Sequence, residues 1–181
     1  MTRILAISGS LRAASVNTAV LRAAAILAPI GVEVTLYSGL SDLPAFNPDL
    51  DTDTPPDVVH VLRQKIGSCD GLLISSPEYA RGLPGSLKNA LDWLVSSFEF
   101  PGKPVAVINT SSRAVEAQAQ LRLIVTTMSA RLIDEASISL PLLGRNLDAE
   151  SIVANPVWSI QLSTALRNFV GAIHTAKIGQ K

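Results

Sequence analysis

The sequence has a single cysteine and no excess of either charge. One cysteine, Cys69, excludes an internal disulfide, and its position before an apolar run favours a small hydrophobic core residue. Lys plus Arg and Asp plus Glu both total 15. The chain therefore lacks the basic surface of a nucleic-acid binder and the acidic excess that attracts cationic partners. We expect no nucleic-acid partner.

Long hydrophobic runs are also missing. The first apolar run covers residues 4–7, which is too short for a signal-peptide core or a membrane span. We therefore expect no membrane partner and, with the unpaired cysteine, a cytoplasmic location. His60 and His174 are far apart on predicted helices and have no Cys or carboxylate pattern beside them. We therefore expect both histidines to lie at the surface and to bind no metal ion.

The chain contains instead a regular alternation of apolar runs and helical patterns. The runs predict strands at residues 3–8, 32–37, 71–75, 103–109 and 131–140. Apolar residues at helical spacing predict helices at residues 17–28, 57–66, 87–95, 117–128 and 162–173. Residues 141–156 fit neither pattern. At 181 residues the chain has the size of one domain, and we expect residues 1–181 to form a single domain.

This alternation predicts an α/β fold. Strands that alternate with helices need right-handed crossovers, which produce a parallel sheet with helices on both faces. The five predicted strands fit a flavodoxin-like three-layer sandwich with the strand order 2-1-3-4-5. In that order a crevice forms at the carboxyl ends of the first and third strands, where the connections leave in opposite directions. A ligand is therefore expected at the loops that follow these strands.

The loop after the first strand, residues 8–17, leads into a helix N-terminus and is suited to an anion. Free backbone N–H groups and the helix dipole favour negative charge there. Ser10, Ser15 and Asn17 add neutral donors, and Arg12 adds a charged one. The alternative is that Ser15 and Asn17 are ordinary helix caps. The loop has neither the three-glycine spacing of a dinucleotide fingerprint nor the ending of a P-loop, so a mononucleotide phosphate fits better.

A second motif follows the third strand. It reads Pro-Glu-Tyr-Ala-Arg-Gly at residues 77–82 and Pro-Gly-Ser-Leu-Lys-Asn-Ala-Leu-Asp-Trp at residues 84–93. Together with Gly-Ser-Leu-Arg at residues 9–12 and Ser-x-Asn at residues 15–17, it resembles the NADPH-dependent FMN reductase family, which includes quinone, azo-dye and chromate reductases. The resemblance extends from residue 2 to about residue 140.

The resemblance implies an NAD(P)H-dependent oxidoreductase that passes hydride through FMN to a small acceptor: a quinone, an azo compound, a metal oxyanion or free flavin. It implies no catalytic side chain, because the cofactor supplies the chemistry. It also implies a homodimer or homotetramer, for which the third helix and Trp93 are a candidate contact, with packing as the alternative role of Asp92 and Trp93. The implied cofactor-binding residues are Ser10, Arg12, Ser15, Val16, Asn17, Pro77, Glu78, Tyr79, Ala80, Arg81, Gly82, Ser111, Ser112 and Arg113.

Two departures from the family pattern bear on flavin binding. Ala80 replaces an asparagine, and Arg81 adds a positive charge that either contacts a ligand anion or is simply exposed. The loop at residues 109–113 reads Asn-Thr-Ser-Ser-Arg where relatives have a glycine-rich turn, so side-chain donors are expected to replace backbone donors.

Three alternatives therefore stay open. The first is a flavodoxin-type electron carrier without enzymatic activity, against which the neutral charge and Arg12 argue. The second is a degenerate member of the family with weak flavin binding. The third is an enzyme that releases FMN as a dissociable substrate.

Overall fold

A parallel sheet forms the centre of the computed structural model, which describes residues 1–142 and 147–178. Its strands run in the order β2-β1-β3-β4-β5, and a further short strand, β6, also pairs with β4. This confirms the predicted flavodoxin-like order. The strands are β1 (Thr2–Ser8), β2 (Val32–Leu36), β3 (Gly71–Ser75), β4 (Pro104–Asn109), β5 (Arg131–Leu132) and β6 (Ile138–Ser139).

The last strand position differs from the prediction of one continuous strand at residues 131–140. A 3-10 turn, Asp134–Ala136, separates β5 from β6. Within this interruption the Ser137 hydroxyl accepts the N–H of Val107 at 3.1 Å, so a side chain replaces a ladder partner. The acidic pair Asp134-Glu135 disfavours a strand, but the apolar residues on either side dominate the sequence pattern.

Helices cover both faces of the sheet, as predicted. They are α1 (Val16–Ile26), α2 (Asp57–Ser68), α3 (Gly85–Asp92), α4 (Val115–Thr127), α5 (Ala149–Ala154) and α6 (Pro156–Ile178). One apolar cluster packs α2, α3 and α4 against one face, and a second packs α1, α5 and α6 against the other. Helix α5 lies in the stretch 141–156, for which the sequence pattern predicted no element. Residues 143–146 of this stretch lie outside the described residues. No helix in the described ranges is long and apolar enough to cross a bilayer.

The predicted subunit contact at Trp93 is wrong, because this side chain is fully buried within its own chain. Helix α3 ends at Asp92, earlier than predicted. The indole Nε1 donates to the Pro44 carbonyl at 2.8 Å, and the Phe46 ring packs edge-on at a centroid distance of 5.0 Å. Trp93 therefore anchors the long connection between β2 and α2 to α3.

The remaining residues singled out above occupy ordinary positions. Cys69 is buried in the core, as predicted, and burial raises the pKa of its thiol. His60 and His174 are exposed. Within residues 1–142 and 147–178, no group of three His, Cys, Asp or Glu side chains is placed to hold a metal ion.

A largely buried ion pair holds the long connection in place. Arg63 donates to Asp51 Oδ1 at 2.7 Å and to the Trp93 carbonyl at 2.7 Å, while the Ser96 hydroxyl donates to Asp51 Oδ2. The Asp51 side chain is 9% exposed. Burial alone would raise the pKa of Asp51, but the hydrogen bonds from Ser96 and Arg63 and the charge of Arg63 outweigh it and lower the pKa.

The loop after β3 contains a strained two-residue turn. Tyr79 and Gly82 exchange two backbone hydrogen bonds of 3.0 and 2.9 Å, and the residues between them, Ala80 and Arg81, have φ of 49° and 60°. Positive φ at both central positions is the geometry that Asn-Gly satisfies best. An L-residue with a Cβ pays roughly 1–2 kcal/mol for this conformation. The turn therefore depends on its surroundings to persist.

We expect the Asp51 ion pair to give a pH-dependent contribution to stability. Because the folded state lowers the pKa of Asp51, the stabilisation is present above the carboxyl's ordinary pKa and disappears as the pH falls through the lowered value. Asp51→Asn should therefore lower the melting temperature at neutral pH and have a smaller effect at about pH 3. The exposed neighbour Asp53→Asn is the control. An equal loss for D51N at both pH values would contradict the prediction.

We expect Ala80→Asn to stabilise the protein by about 1 kcal/mol, because asparagine tolerates positive φ better than alanine. The measurement is the free energy of unfolding in urea without added flavin. Ala119→Asn, at an exposed position inside α4, provides the contrast and should be mildly destabilising, since asparagine is a poorer helix former than alanine. A lower stability for A80N would show that the backbone strain is not relieved.

Candidate functional site

A cleft of about 260 Å³ opens at the carboxyl ends of β1, β3 and β4. A larger groove of about 550 Å³ runs between α1 and α5, and it is lined by apolar side chains together with three exposed charged ones, Arg22, Asp148 and Glu150. The buried polar side chains gather instead around the smaller cleft, which makes it the better candidate. Predicted site residues that line it are Ser10, Arg12, Ser15, Val16, Asn17, Pro77, Glu78, Tyr79, Ser111 and Arg113.

The N-terminus of α1 forms one wall of the cleft. Ser15 is its N-cap, and the hydroxyl oxygen accepts the Thr18 N–H at 3.4 Å. The cap interpretation of Ser15 is thus confirmed, and the hydroxyl keeps its own proton to donate. The first turn of α1 has no acidic residue, whereas α2, α4 and α5 each have one. The positive end of α1 is therefore not neutralised from within its own first turn.

Asn17 holds the three loops of the cleft together. Its side chain is buried, and Oδ1 lies 2.9 Å from the Ser75 hydroxyl and 3.0 Å from the Thr110 hydroxyl. The interpretation of Asn17 as a helix cap is wrong, since Ser15 occupies that position. Asn17 instead connects the start of α1 to the end of β3 and to the loop after β4.

The residues after β3 form a second wall, and they are fixed to α4. Oε2 of Glu78 accepts the N–H of Ala117 at 3.0 Å. Gln120 Oε1 accepts the N–H of Leu83 at 3.2 Å. Glu78 is therefore not part of a freely solvated loop tip. Tyr79 is half exposed at the cleft.

The loop after β4 replaces glycine by side chains that bond to their own backbone. Asn109 Oδ1 accepts the N–H of Ser111 at 3.0 Å, and the Ser111 hydroxyl accepts the N–H of Arg113 at 3.1 Å. Such turns by Asn and Ser side chains shape the loop without positive φ. These side-chain oxygens act as acceptors within the loop, so the replacement of backbone donors by side-chain donors toward a flavin stays a prediction.

Four predicted residues lie outside the cleft wall. Arg81 lies at the turn tip, and its side chain is 84% exposed. Its Nη1 is 3.7 Å from Glu116 Oε1, which makes a weak ion pair at the surface. A Cβ on Gly82 would come within 3.3 Å of Gln120, so this glycine packs against α4. Their role in cofactor binding stays a prediction. The four residues are Ala80, Arg81, Gly82 and Ser112.

Two wall residues, Thr110 and Ala114, were missed by the sequence analysis. Thr110 directly follows β4, and its place at the carboxyl end of a buried strand was the available signal. Ala114 precedes α4 and has no polar group that could have marked it.

The residues of the cleft fit a flavin mononucleotide. The polar groups of the α1 wall are hydroxyls, an amide and one guanidinium, a donor set that suits a phosphate. Among the residues that line the cleft the one carboxylate, on Glu78, accepts the Ala117 N–H. A Cβ on Gly9 would lie 2.4 Å from the Ser76 hydroxyl, so only glycine lets the phosphate-side loop approach the end of β3 this closely.

Known proteins with similar sequences are reductases. The family model described as NADPH-dependent FMN reductase matches residues 2–142. A 2-hydroxy-1,4-benzoquinone reductase from Burkholderia sp is 31% identical in an alignment 182 positions long, which covers 97% of this chain and 98% of the relative. A quinone reductase from Escherichia coli strain K12 is 35% identical in an alignment 140 positions long, which covers 74% of this chain and 74% of the relative.

Solved structures agree with these sequence matches. FerB, a flavoenzyme NAD(P)H:(acceptor) oxidoreductase from Paracoccus denitrificans, superposes with a TM-score of 0.79 at 30% identity and covers 97% of this chain and 99% of its own. The apo form of an NADH:FMN oxidoreductase, at 22% identity and a TM-score of 0.66 over 93% of this chain and 88% of its own, shares the fold. Because the family model matches residues 2–142 and one relative aligns with nearly the full length of the chain, this chain belongs to the NADPH-dependent FMN reductase family.

Proposed function

We propose that this chain transfers hydride from NAD(P)H through FMN to small acceptors. The proposed site of this reaction is the cleft at the carboxyl ends of β1, β3 and β4. Quinones are the proposed acceptor class. That the chain is an FMN- and NAD(P)H-dependent oxidoreductase follows from its family. The observation that carries the choice of site is that residues of both family motifs line one cleft. Bound there, the flavin would supply the hydride chemistry itself.

The FMN phosphate is assigned to the wall formed by α1. Its N-terminal N–H groups, the hydroxyls of Ser10 and Ser15 and the guanidinium of Arg12 would hold the phosphate. A helix N-terminus contributes only about 0.3–1 kcal/mol toward an exposed charge, whereas each charge-assisted hydrogen bond contributes about 1.5–3 kcal/mol. The side chains, and Arg12 above all, therefore decide the affinity for the phosphate.

The ring system is assigned to the space between two other walls. Backbone groups of residues 77–79 would contact one edge, and Ser111 and Arg113 would contact it from the loop after β4. Arg113 is exposed and has no ion-pair partner in the described part of the chain, so its charge is available to an anionic group. Arg81 and Arg113 are our candidates for contact with the 2′-phosphate that distinguishes NADPH from NADH. No side chain need act as an acid or base.

Quinones are proposed because relatives of this chain are named for them. The relative matched along nearly its full length is a 2-hydroxy-1,4-benzoquinone reductase, and others are quinone reductases. A homodimer or homotetramer, a cytoplasmic location and one domain spanning residues 1–181 also stay predictions.

The direct test is an absorbance spectrum of the protein purified with FMN. Anaerobic NADPH or NADH should bleach the flavin within the time of a catalytic turnover, and 1,4-benzoquinone should restore the oxidised spectrum. An electron carrier would hold FMN without being bleached by either nucleotide. A protein that ignores FMN would support the degenerate alternative, and a dissociation constant near cellular flavin levels would support dissociable FMN.

Arg12→Ala should weaken FMN binding by about ten- to a hundredfold, which corresponds to the loss of one charge-assisted hydrogen bond. Riboflavin, which has no phosphate, should bind both proteins equally. Flavin fluorescence titration measures both constants, and Arg22→Ala, an exposed arginine of α1 outside the cleft wall, is the control. If R12A weakened riboflavin as much as FMN, Arg12 would not be the phosphate ligand.

A further inference from the structure

We propose that Glu78 is a positioning residue whose carboxylate caps α4 from across the cleft and so holds the walls on either side of the flavin ring in register. The proposal rests on the assignment of the ring to this cleft. It gives Glu78 a different task from the direct flavin contact that the family resemblance implies. Its basis is the bond from the Ala117 N–H to Glu78 Oε2, 3.0 Å long, which joins residues 39 positions apart.

Helix α4 has no cap of its own. Its N-cap residue is Ala114, whose side chain cannot accept a hydrogen bond. The first N–H groups of any helix need partners from outside the helix. Glu116, although in the first turn, is turned toward Arg81 at the surface. The side-chain acceptor at this helix N-terminus is therefore supplied by Glu78, where a negative charge also meets the positive end of the helix dipole.

A second attachment to α4, through the Gln120 side chain, secures the other end of the same loop. Gln120, one turn beyond Ala117, accepts the Leu83 N–H through Oε1 at 3.2 Å and donates through Nε2 to the Arg81 carbonyl at 3.4 Å. The strained turn thus lies between two attachments to α4, one before it and one after it. A turn with two residues at positive φ needs such external constraints to keep one conformation.

The loop of residues 110–114, which forms another wall of the cleft, leads directly into the capped N-terminus of α4. That loop is connected to the phosphate side by Thr110, whose hydroxyl contacts Asn17. Asn17 and Glu78 therefore hold the two ends of residues 110–117. Loss of the Glu78 bond would release the ring side of the cleft while leaving the phosphate side attached. This asymmetry separates a positioning role from a general structural one.

The experiment compares Glu78→Ala, Glu78→Gln and Glu116→Gln. In E78A we expect hydrogen exchange at the Ala117 amide to accelerate about tenfold or more. The affinities for riboflavin and for FMN should also fall about tenfold or more, and by the same factor as each other, since both ligands share the ring. In E78Q the amide oxygen still accepts the N–H, so both measurements should recover to within about threefold of wild type. E116Q removes a charge from the same helix turn without removing the cap and should change neither.

Exchange at Ala117 is measured by NMR on the flavin-free protein, so it tests the cap even if the proposed function fails. Gln120→Ala provides a second variant should E78A not fold: exchange should accelerate at Leu83 and not at Ala117. Unchanged Ala117 exchange in E78A would overturn the proposal. So would loss of flavin affinity in E78Q with Ala117 exchange still slow, because Glu78 would then contact the flavin directly.

Discussion

Polar side chains buried at the carboxyl ends of β3 and β4 must find hydrogen-bond partners inside the protein, and Asn17 meets this requirement. Ser75 and Thr110 are almost fully buried, and a buried hydroxyl without a partner costs about 1–3 kcal/mol. The carboxamide oxygen of Asn17 accepts from both hydroxyls, and the Ile108 carbonyl is a second acceptor for Ser75 at 2.8 Å. Because Asn17 lies in the first turn of α1, this contact places the helix N-terminus against the ends of two strands. The shape of the cleft depends on it.

The electrostatics of the cleft follow from this placement. The N-terminus of α1 opens into the cleft without an acidic residue in its first turn, and Arg12 and Arg113 add positive charge. The carboxylate that lies among the lining residues, Glu78, is bound to a backbone N–H of α4. An anionic cofactor therefore meets donors and positive charge at one end. At the other end, it meets the loop after β3, whose carboxylate, on Glu78, is already bound to the N-terminus of α4.

Backbone strain and its restraint occur in the same loop. The turn at Ala80 and Arg81 uses a conformation that asparagine and glycine would adopt more readily, and Glu78 and Gln120 attach its two arms to α4. Strain of this kind persists only where neighbouring structure outweighs it, and it is common at ligand sites. The departure from the family pattern at Ala80 thus affects how the loop is held, in addition to any contact it makes with a ligand.

The sequence by itself indicated the strands, the helices and both motif loops, because these are encoded by residues two to four positions apart. The strand order and the two-sided helical packing followed from the alternation of these elements and the handedness of their connections. The interrupted last strand was not predictable in this way, since the apolar residues around Asp134 and Glu135 dominate the local pattern. Trp93 likewise belongs to a helix motif, and only packing against Pro44 and Phe46 makes it a core residue.

Within the site, the sequence predicted most of the cleft wall but not the partners of its side chains. Asn17 contacts residues 58 and 93 positions away, and Glu78 contacts a residue 39 positions away. Such bonds form only after the sheet has aligned the loops at one edge. Most of the residues that face the cleft could thus be predicted from the sequence, whereas which of them hold the loops together was decided by the tertiary structure.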